Sequence, residues 1–316
     1  MVEYRSFHNS DPPKLVALWE GCELGRGAAS ETSPDVFEMV NFSQPYFDPQ
    51  GLIVAAEGDA VVGVAHAGFG PDASESQLDH TNGVICAVLV SPEHRRRGIG
   101  RQLVALAEQY LRDRGAASIW AGQAAPRDPF YVGVYSGSRP SGFLESDPNA
   151  DPFFRAIGYQ PAERHLIFQR QLGQQPEPVN VRLLHIRRKM ELAITDAPNP
   201  LSWWWATRFG RLDTVRFLLV PKGDDTAVAA MTVVGLDFYL GTWQERAAGL
   251  TDLFVSASER RKGYGQALVL EVCRRLKDEL VTRVEAHAAE SDEATLGLLQ
   301  STGFTQVDAG IVYRRP

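Results

Sequence analysis

The segment Ser91-Pro92-Glu93-His94-Arg95-Arg96-Arg97-Gly98-Ile99-Gly100 joins a strand-like run, residues 84–90, to a run with helical spacing that extends to about Arg114. Its glycines let the backbone turn, so that several N–H groups point into one concavity where the helix begins. The helix dipole and the flanking arginines add positive charge at the same place. The segment therefore predicts a site that holds a diphosphate.

A second copy of this segment, Arg260-Arg-Lys-Gly-Tyr-Gly265, follows 165 residues later. One fixed offset holds through a hairpin turn, two strands, the loop and the helix, which a chance match would not maintain. The chain is therefore predicted to be an internal duplication. The positions that keep the offset are Gly58 and Gly223, Val90 and Val255, Gly98 and Gly263, and Ile119 and Val284.

Two domains follow from the duplication, residues 1–172 and residues 179–316. The polar, breaker-rich stretch 171–178 is the predicted boundary between them. Gly158 and Gly303 match at an offset of 145, so the first domain carries a 20-residue insertion after its fifth strand. Long ordered loops often carry function, and we expect this insertion to take part in substrate selection.

Other phosphate-binding loops fit the segment poorly. The chain has no Gly-x-x-x-x-Gly-Lys-Ser/Thr run of the kind that binds nucleoside triphosphates. The dinucleotide-binding pattern requires a third glycine three residues further on, where Leu103 and Leu268 stand. The glycine turns are therefore predicted to serve a different diphosphate.

Composition narrows the class of protein. The net charge of −7 argues against a nucleic-acid partner, because phosphate contacts require a basic surface. The three cysteines fit no metal-ligand spacing, so no metal site is expected. The N-terminal residues do not resemble a signal peptide, and no apolar run approaches the ~18 residues that span a bilayer. We expect a cytoplasmic protein that has no membrane partner, and the oligomeric state stays open.

The unit of strand, Arg-x-x-Gly-x-Gly loop and helix, followed by a strand, a short helix and Gly-Tyr or Gly-Phe, resembles the GNAT superfamily of acyl-CoA N-acyltransferases. The resemblance covers both halves. It implies an α/β fold of two tandem GNAT-like domains, each a mixed, mostly antiparallel central sheet flanked by helices. It also implies acetyl-CoA, or another acyl-CoA, as co-substrate.

The resemblance assigns cofactor-binding roles to both loops and to the strands before them. The loop residues are Arg95, Arg97, Gly98, Ile99, Gly100 and Arg101 in the first half, and Arg260, Lys262, Gly263, Tyr264, Gly265 and Gln266 in the second. The strand residues expected to meet the pantetheine arm are Val88, Leu89 and Val90, and Leu253, Phe254 and Val255.

The catalytic residues are less clearly marked. The family's tyrosine acid lies four residues before the late glycine, where this chain has Phe154 and Leu299. Tyr131 and Tyr135 of the insertion could replace it, or could only pack the long loop. A base could be Asp252 in the second half, or His66, His80 or Glu75 in the first, and each of these could also be a structural residue.

The sequence thus predicts an acyl-CoA-dependent N-acetyltransferase that acylates a primary amine of a small molecule by direct transfer. The first half is favoured as the catalytic one, because its loop matches better and its insertion shapes a cleft. The alternative is a CoA-binding sensor or scaffold in which one or both halves are inactive.

Overall fold

The structure is a computed structural model that describes residues 1–174, 178, 181–224 and 226–316. The strands are β1 (Glu3–Ser6), β2 (Leu52–Glu57), β3 (Ala60–Pro71), β4 (Leu78–Val90), β5 (Ser118–Ala121), β6 (Phe143–Leu144), β7 (Gln160–Gln171), β8 (Met190–Thr195), β9 (Thr214–Pro221), β10 (Ala229–Gly235), β11 (Ala247–Val255), β12 (Arg283–Ala289) and β13 (Thr305–Arg314). The helices are α1 (Pro12–Gly21), α2 (Pro34–Phe37), α3 (Ile99–Asp113), α4 (Ala150–Ala156), α5 (Val181–Lys189), α6 (Trp203–Phe209), α7 (Leu240–Trp243), α8 (Tyr264–Asp278) and α9 (Glu293–Ser301).

All described strands belong to one sheet, in the order β1-β2-β3-β4-β5-β13-β7-β12-β11-β10-β9-β8, with β6 paired to β13. The β4–β5 and β11–β12 pairs are parallel, and the other described pairs are antiparallel. This mixed, mostly antiparallel sheet, with helices on both faces, confirms the predicted fold class. The two halves follow the same order outward from the centre of the sheet, which agrees with the duplication.

The last strand of each half lies in the sheet of the other half. Strand β13 of the second half pairs with β5 and β7, while β7 of the first half also pairs with β12. Of the predicted boundary 171–178, residues 175–177 lie outside the described residues, and Gln171 still belongs to β7. The sequence halves are therefore not two separate sheets, because their final strands are exchanged.

Each half buries one long amphipathic helix against its own part of the sheet. Leu103, Ala107 and Leu111 of α3 recur on one face and are fully buried. In the second half α8 occupies the same place, with Leu268 and Val272 in the core. Burial of these large side chains fixes where both helices begin, and so where both glycine turns lie.

The insertion crosses the opposite face of the sheet and contacts both halves. Its Tyr131 and Val134 share an apolar cluster with Ala87 of β4 and with Tyr239 and Trp243 of the second half. Further along, Ser138 packs directly on Gly249 of β11, where a side chain on the glycine would lie 2.1 Å from the Ser138 Cβ. The insertion is thus the main link between the two halves on this face.

Candidate active site

Strands β4 and β5 separate at the end of the sheet where the first glycine turn lies. Their pairing runs from Asn82 to Ile85 on β4, and residues 86–90 continue without a β5 partner. A register shift opposite His66 and Ala67 leaves Cys86 as an extra residue in β4. The result is an opening in the sheet that reaches from the bulge to the turn.

The opening presents backbone groups of β4. The Ser91 N–H binds the Val62 carbonyl on the β3 side. Because backbone groups alternate along a strand, the N–H and C=O of Val90 and Val88 point the other way, into the opening. This is the strand edge that the sequence predicts for the pantetheine arm.

The first glycine turn exposes a row of unpaired amides. Arg96 and Gly98 have φ of 64° and 83°, and α3 begins at Ile99. None of the N–H groups of residues 96–101 has an acceptor within the described part of the chain. Such amides at a helix N-terminus form an anion-binding concavity. Since Gly98 is also exposed, this turn can receive a diphosphate from solvent.

Arg95 and Gly100 stabilise the packing of the same loop. The Arg95 Nε donates to the Val90 carbonyl at 3.0 Å and its Nη2 to the Cys22 carbonyl at 3.4 Å, so the side chain ties the loop to the strand end. A Cβ at Gly100 would lie 3.1 Å from the Phe153 ring. Glycine is therefore required there for close packing on α4. The Arg97 and Arg101 side chains remain exposed beside the turn.

Tyr131 lies beside the inner end of the opening. It lines a small cavity there together with Ala87, Val88 and Leu89. The Tyr131 hydroxyl lies 3.1 Å from His66 Nδ1, and both side chains are buried. Tyr131 also has φ of 64°, a conformation that costs a non-glycine residue roughly 1–2 kcal/mol. The structure thus holds this phenol at the cavity despite backbone strain.

Burial determines the protonation of this pair. It lowers the pKa of His66 to about 3, so the imidazole is neutral at pH 7. Burial also raises the pKa of Tyr131 above the ordinary value of 10, so the phenol keeps its proton. The His66 Nε2 has no partner in the described ranges. A protonated phenol beside a neutral imidazole can act as a proton donor to a leaving group.

The other candidates of the first half lie elsewhere or are bonded structurally. His80 is exposed, at the opposite end of β4, packed on Phe69. Glu75 accepts the Ser202 hydroxyl and so ties the two halves together. Tyr135 lines the same cavity as Tyr131, but its hydroxyl accepts the Leu144 N–H at 3.3 Å. Burial raises the pKa of Tyr135 as well. His80 therefore lies away from the cavity that Tyr131 lines, and its catalytic role stays a prediction.

The second glycine turn repeats the backbone of the first but is covered. Arg261 and Gly263 have φ of 62° and 89°. The N–H groups of residues 261–266 likewise lack acceptors within the described residues. However, α5, which has no counterpart in the first half, places Arg182 on this turn. Its Nη2 donates to the Arg261 carbonyl at 2.7 Å, and its Cδ lies 3.2 Å from the Cβ position of Gly263.

Other predicted residues of the second half make internal contacts. The Arg260 Nε binds the Val255 carbonyl at 3.2 Å, as Arg95 binds Val90 in the first half. Lys262 forms an ion pair with Glu259, and the Gln266 amide donates to the Ser301 carbonyl. Gly265 lies against Val255 and Leu298, and Tyr264 and Leu253 pack on the core. Phe254 is half-exposed.

The opening between β11 and β12 is occupied by the insertion. Arg139 donates to Thr251 at 3.5 Å and to Asp252 Oδ1 at 3.0 Å, and it also pairs with buried Asp128. Trp205 Nε1 donates to the other Asp252 oxygen at 3.0 Å. Asp252 therefore serves as an anchor between the halves. These bonds occupy part of the acceptor capacity of the Asp252 carboxylate, and its role as a general base stays a prediction.

The sequence did not reveal Arg139 or Arg182 as blocking residues. Both are single arginines in segments without a repeat partner, and their targets lie more than 75 residues away. Comparison of the two halves of the sequence could have identified the segments that carry these arginines. The segments that break the fixed offset, the insertion and α5, are the ones that cover the second site.

Comparison with known proteins identifies the family. The profile of the acetyltransferase (GNAT) family matches residues 19–136 and 182–304. An acetyltransferase of Sodalis glossinidius is 29% identical over 118 residues, which are 37% of this chain and 72% of that protein. Within the described residues, no helix is long and apolar enough to cross a membrane.

Two solved structures share the fold of nearly the whole chain. One is a glucosamine N-acetyltransferase region of a fungal multi-domain β-N-acetylglucosaminidase, with a TM-score of 0.74, 16% identity and 99% of this chain covered. This chain spans only 38% of that protein. The other is a tandem GNAT protein from the clavulanic acid biosynthesis pathway, with a TM-score of 0.67, 18% identity, and coverage of 99% of this chain and 98% of that one.

Proposed function

The chain belongs to the GNAT family of acetyltransferases, and on this premise we propose that it transfers the acetyl group of acetyl-CoA directly to a primary amine of a small molecule. The chemistry is assigned to the first half. The observation that carries this assignment is the open row of unpaired amides at residues 96–101, which leads into the β4–β5 opening. The equivalent turn in the second half is covered by Arg182, and its opening by Arg139.

The reaction uses residues of the first opening. Amides 96–101 hold the diphosphate of the co-substrate, and the pantetheine arm follows the edge of β4 at Val88 and at the Val90 N–H, because the Val90 carbonyl already accepts from Arg95. The Val88 N–H stabilises negative charge on the acetyl oxygen as the deprotonated amine attacks. The C–N bond then forms and the C–S bond breaks. Tyr131 gives its proton to the departing thiolate, and the proton released by the amine restores the phenol.

A titration of the protein with acetyl-CoA tests the assignment. We expect one binding site per chain by isothermal titration calorimetry, since only the first turn is open. Two equal sites would contradict the closure of the second half, and no binding would remove the function altogether.

Release of free CoA thiol in the presence of primary amines then tests catalysis. Amine-dependent release is the expected result. A protein that binds acetyl-CoA but releases no thiol with any amine would instead be a CoA-binding sensor. The observation in favour of that alternative is that the family's tyrosine position holds Phe154, which is buried against Tyr313.

A further inference from the structure

Residues 23–30, here termed the acceptor loop, are held by side chains of the second half. Four consecutive carbonyls of this loop each accept a hydrogen bond from a side chain, and three of the donors come from α7 and the turn before it. The bonds are Trp243 Nε1 to the Arg26 carbonyl at 2.9 Å, the Tyr239 hydroxyl to Gly27 at 3.0 Å, the Thr242 hydroxyl to Ala28 at 2.8 Å, and Trp19 Nε1 to Ala29 at 2.8 Å.

Thr242 makes the most contacts with this loop. Its hydroxyl donates to the Ala28 carbonyl and accepts the Ser30 N–H at 3.0 Å, so it bonds both sides of one turn. The Tyr239 hydroxyl has a similar double role, since it also accepts the Gly137 N–H of the insertion at 2.7 Å. The loop is therefore fixed by bonds from three parts of the chain. A segment that is fixed in this way can form a rigid wall.

The acceptor loop and Thr242 line a cavity of about 380 Å³ that is open to solvent. This volume lies within the ~300–1,000 Å³ that small-molecule sites occupy. Trp19 and Leu24 line this cavity and also line the small cavity of Tyr131. An acceptor in the larger cavity would therefore lie next to the phenol that protonates the leaving thiolate.

The charge of the lining favours a cation. Glu20 and Glu23 both line the cavity, and both are exposed to solvent. The one arginine of the lining, Arg26, is paired with Asp308 at 3.3 Å. Glu20 also accepts two bonds from Thr32, which fix its position. The net charge of this wall is therefore negative, at the mouth of a site for which an amine is the proposed substrate.

We propose that this cavity is the acceptor site, that it takes an aliphatic amine with a second cationic group, and that Thr242 of the second half is a positioning residue for it. The inference rests on the proposed function, because it places the acceptor beside the same cleft. The reacting amine lies toward Tyr131 as a free base, and the second ammonium group lies among the glutamates. The second half thereby contributes to acceptor binding although its own cleft is closed.

Binding of 1,5-diaminopentane to the CoA-saturated protein tests the site by calorimetry, with pentylamine as the probe that lacks the second charge. We expect the diamine to bind at least roughly fivefold more tightly than pentylamine. Thr242→Val should weaken diamine binding roughly tenfold, because it leaves the Ala28 carbonyl and the Ser30 N–H unpaired. Thr242→Ser keeps the hydroxyl and should bind like the wild type. Glu23→Gln should remove the preference for the diamine.

Affinity for CoA and the melting temperature are measured for every variant. The affinity for CoA should stay unchanged in all of them, and the melting temperature should fall only in Thr242→Val, which leaves the Ala28 carbonyl and the Ser30 N–H unpaired. The inference is overturned if the wild type does not bind the diamine, or if Thr242→Val and Glu23→Gln bind it normally. The two proposals fail separately. If the protein binds the diamine through these residues but releases no CoA thiol, the acceptor site is supported and the transferase function is overturned. If both variants release thiol at the wild-type rate, the transferase function is supported and the acceptor site is overturned.

Discussion

At the scale of single residues, the Tyr131–His66 pair is the feature most directly tied to chemistry. The sequence placed both among several candidates, but their contact depends on a long loop that folds back by 65 residues onto β3. Local patterns carry no information about such a contact. The same limit applies to His80, which the sequence offers as an alternative base beside His66 and Glu75. His80 lies near the start of β4, whereas the proposed site lies at the other end of that strand.

Replacing the Tyr131 hydroxyl should impair catalysis without affecting the co-substrate. We expect Tyr131→Phe to lower kcat roughly 100-fold or more, the range for loss of a general acid. The dissociation constant for acetyl-CoA should not change, because the turn at residues 96–101 is intact. Tyr135→Phe is the matched control, since its hydroxyl only accepts a backbone N–H. Steady-state rates of thiol release measure both variants, and equal losses would argue against a catalytic role for Tyr131.

The buried imidazole should make the folded state sensitive to acid. Burial lowers the pKa of His66 to about 3 from a reference of 6.5. Between these values the unfolded chain binds a proton that the folded protein does not, so stability falls as the pH falls from 6.5 toward 3. The contribution of this group is at most about 1.4 kcal/mol per pH unit.

Urea unfolding between pH 7.5 and pH 4.5 gives the free energy of unfolding of the wild type and of His66→Gln. The variant removes the titrating group and keeps a hydrogen-bond partner for Tyr131. We expect the variant to lose less stability than the wild type over this range. Parallel pH profiles would show that His66 is already solvated or charged in the folded protein.

At the scale of elements, the two glycine turns offer a matched comparison. A Cβ on Gly98 meets nothing within 4 Å, so Gly98→Ala affects only the backbone, whose φ of 83° costs alanine roughly 1–2 kcal/mol. The free variant relieves this strain by rearranging the exposed turn, and binding must restore the original conformation. We therefore expect acetyl-CoA binding to weaken by up to roughly 5- to 30-fold. Gly263→Ala strains the equivalent turn and should leave the affinity unchanged. Calorimetric titration decides, and a loss of affinity in Gly263→Ala would mean that the second turn binds the co-substrate.

The elements themselves were largely predictable. Alternating and helical patterns located β4, α3 and the turn between them, because these signals depend only on near neighbours. The partners of β7 and β13 were not predictable. A strand pattern indicates that a segment is extended but does not identify its partners, so the exchange depends on how the halves meet. Helix α5 is hard to predict from the sequence, because the basic run Arg187 to Lys189 is typical of a solvated face and obscures the buried Leu183 and Ile186.

At the scale of the whole molecule, the shared sheet predicts a single unfolding unit. Strand β13 pairs with β7 at nine positions and also closes onto β5, so neither half has a complete sheet alone. We expect one calorimetric transition for the full chain. Deletion of residues 305–316 should abolish acetyl-CoA binding in the first half, although the deleted strand belongs to the second. Deletion of residues 315–316, which follow β13, is the control. Two separate transitions would contradict this prediction.

The exchanged strand also affects how the protein is made. Strand β5 leaves the ribosome about 180 residues before β13, the strand that completes the sheet beside it. At roughly 5–20 residues per second, the nascent first half waits on the order of ten seconds or longer with an open sheet edge. During translation that edge is a target for chaperones or for neighbouring chains. The late synthesis of β13 therefore determines when the first half of the protein becomes native.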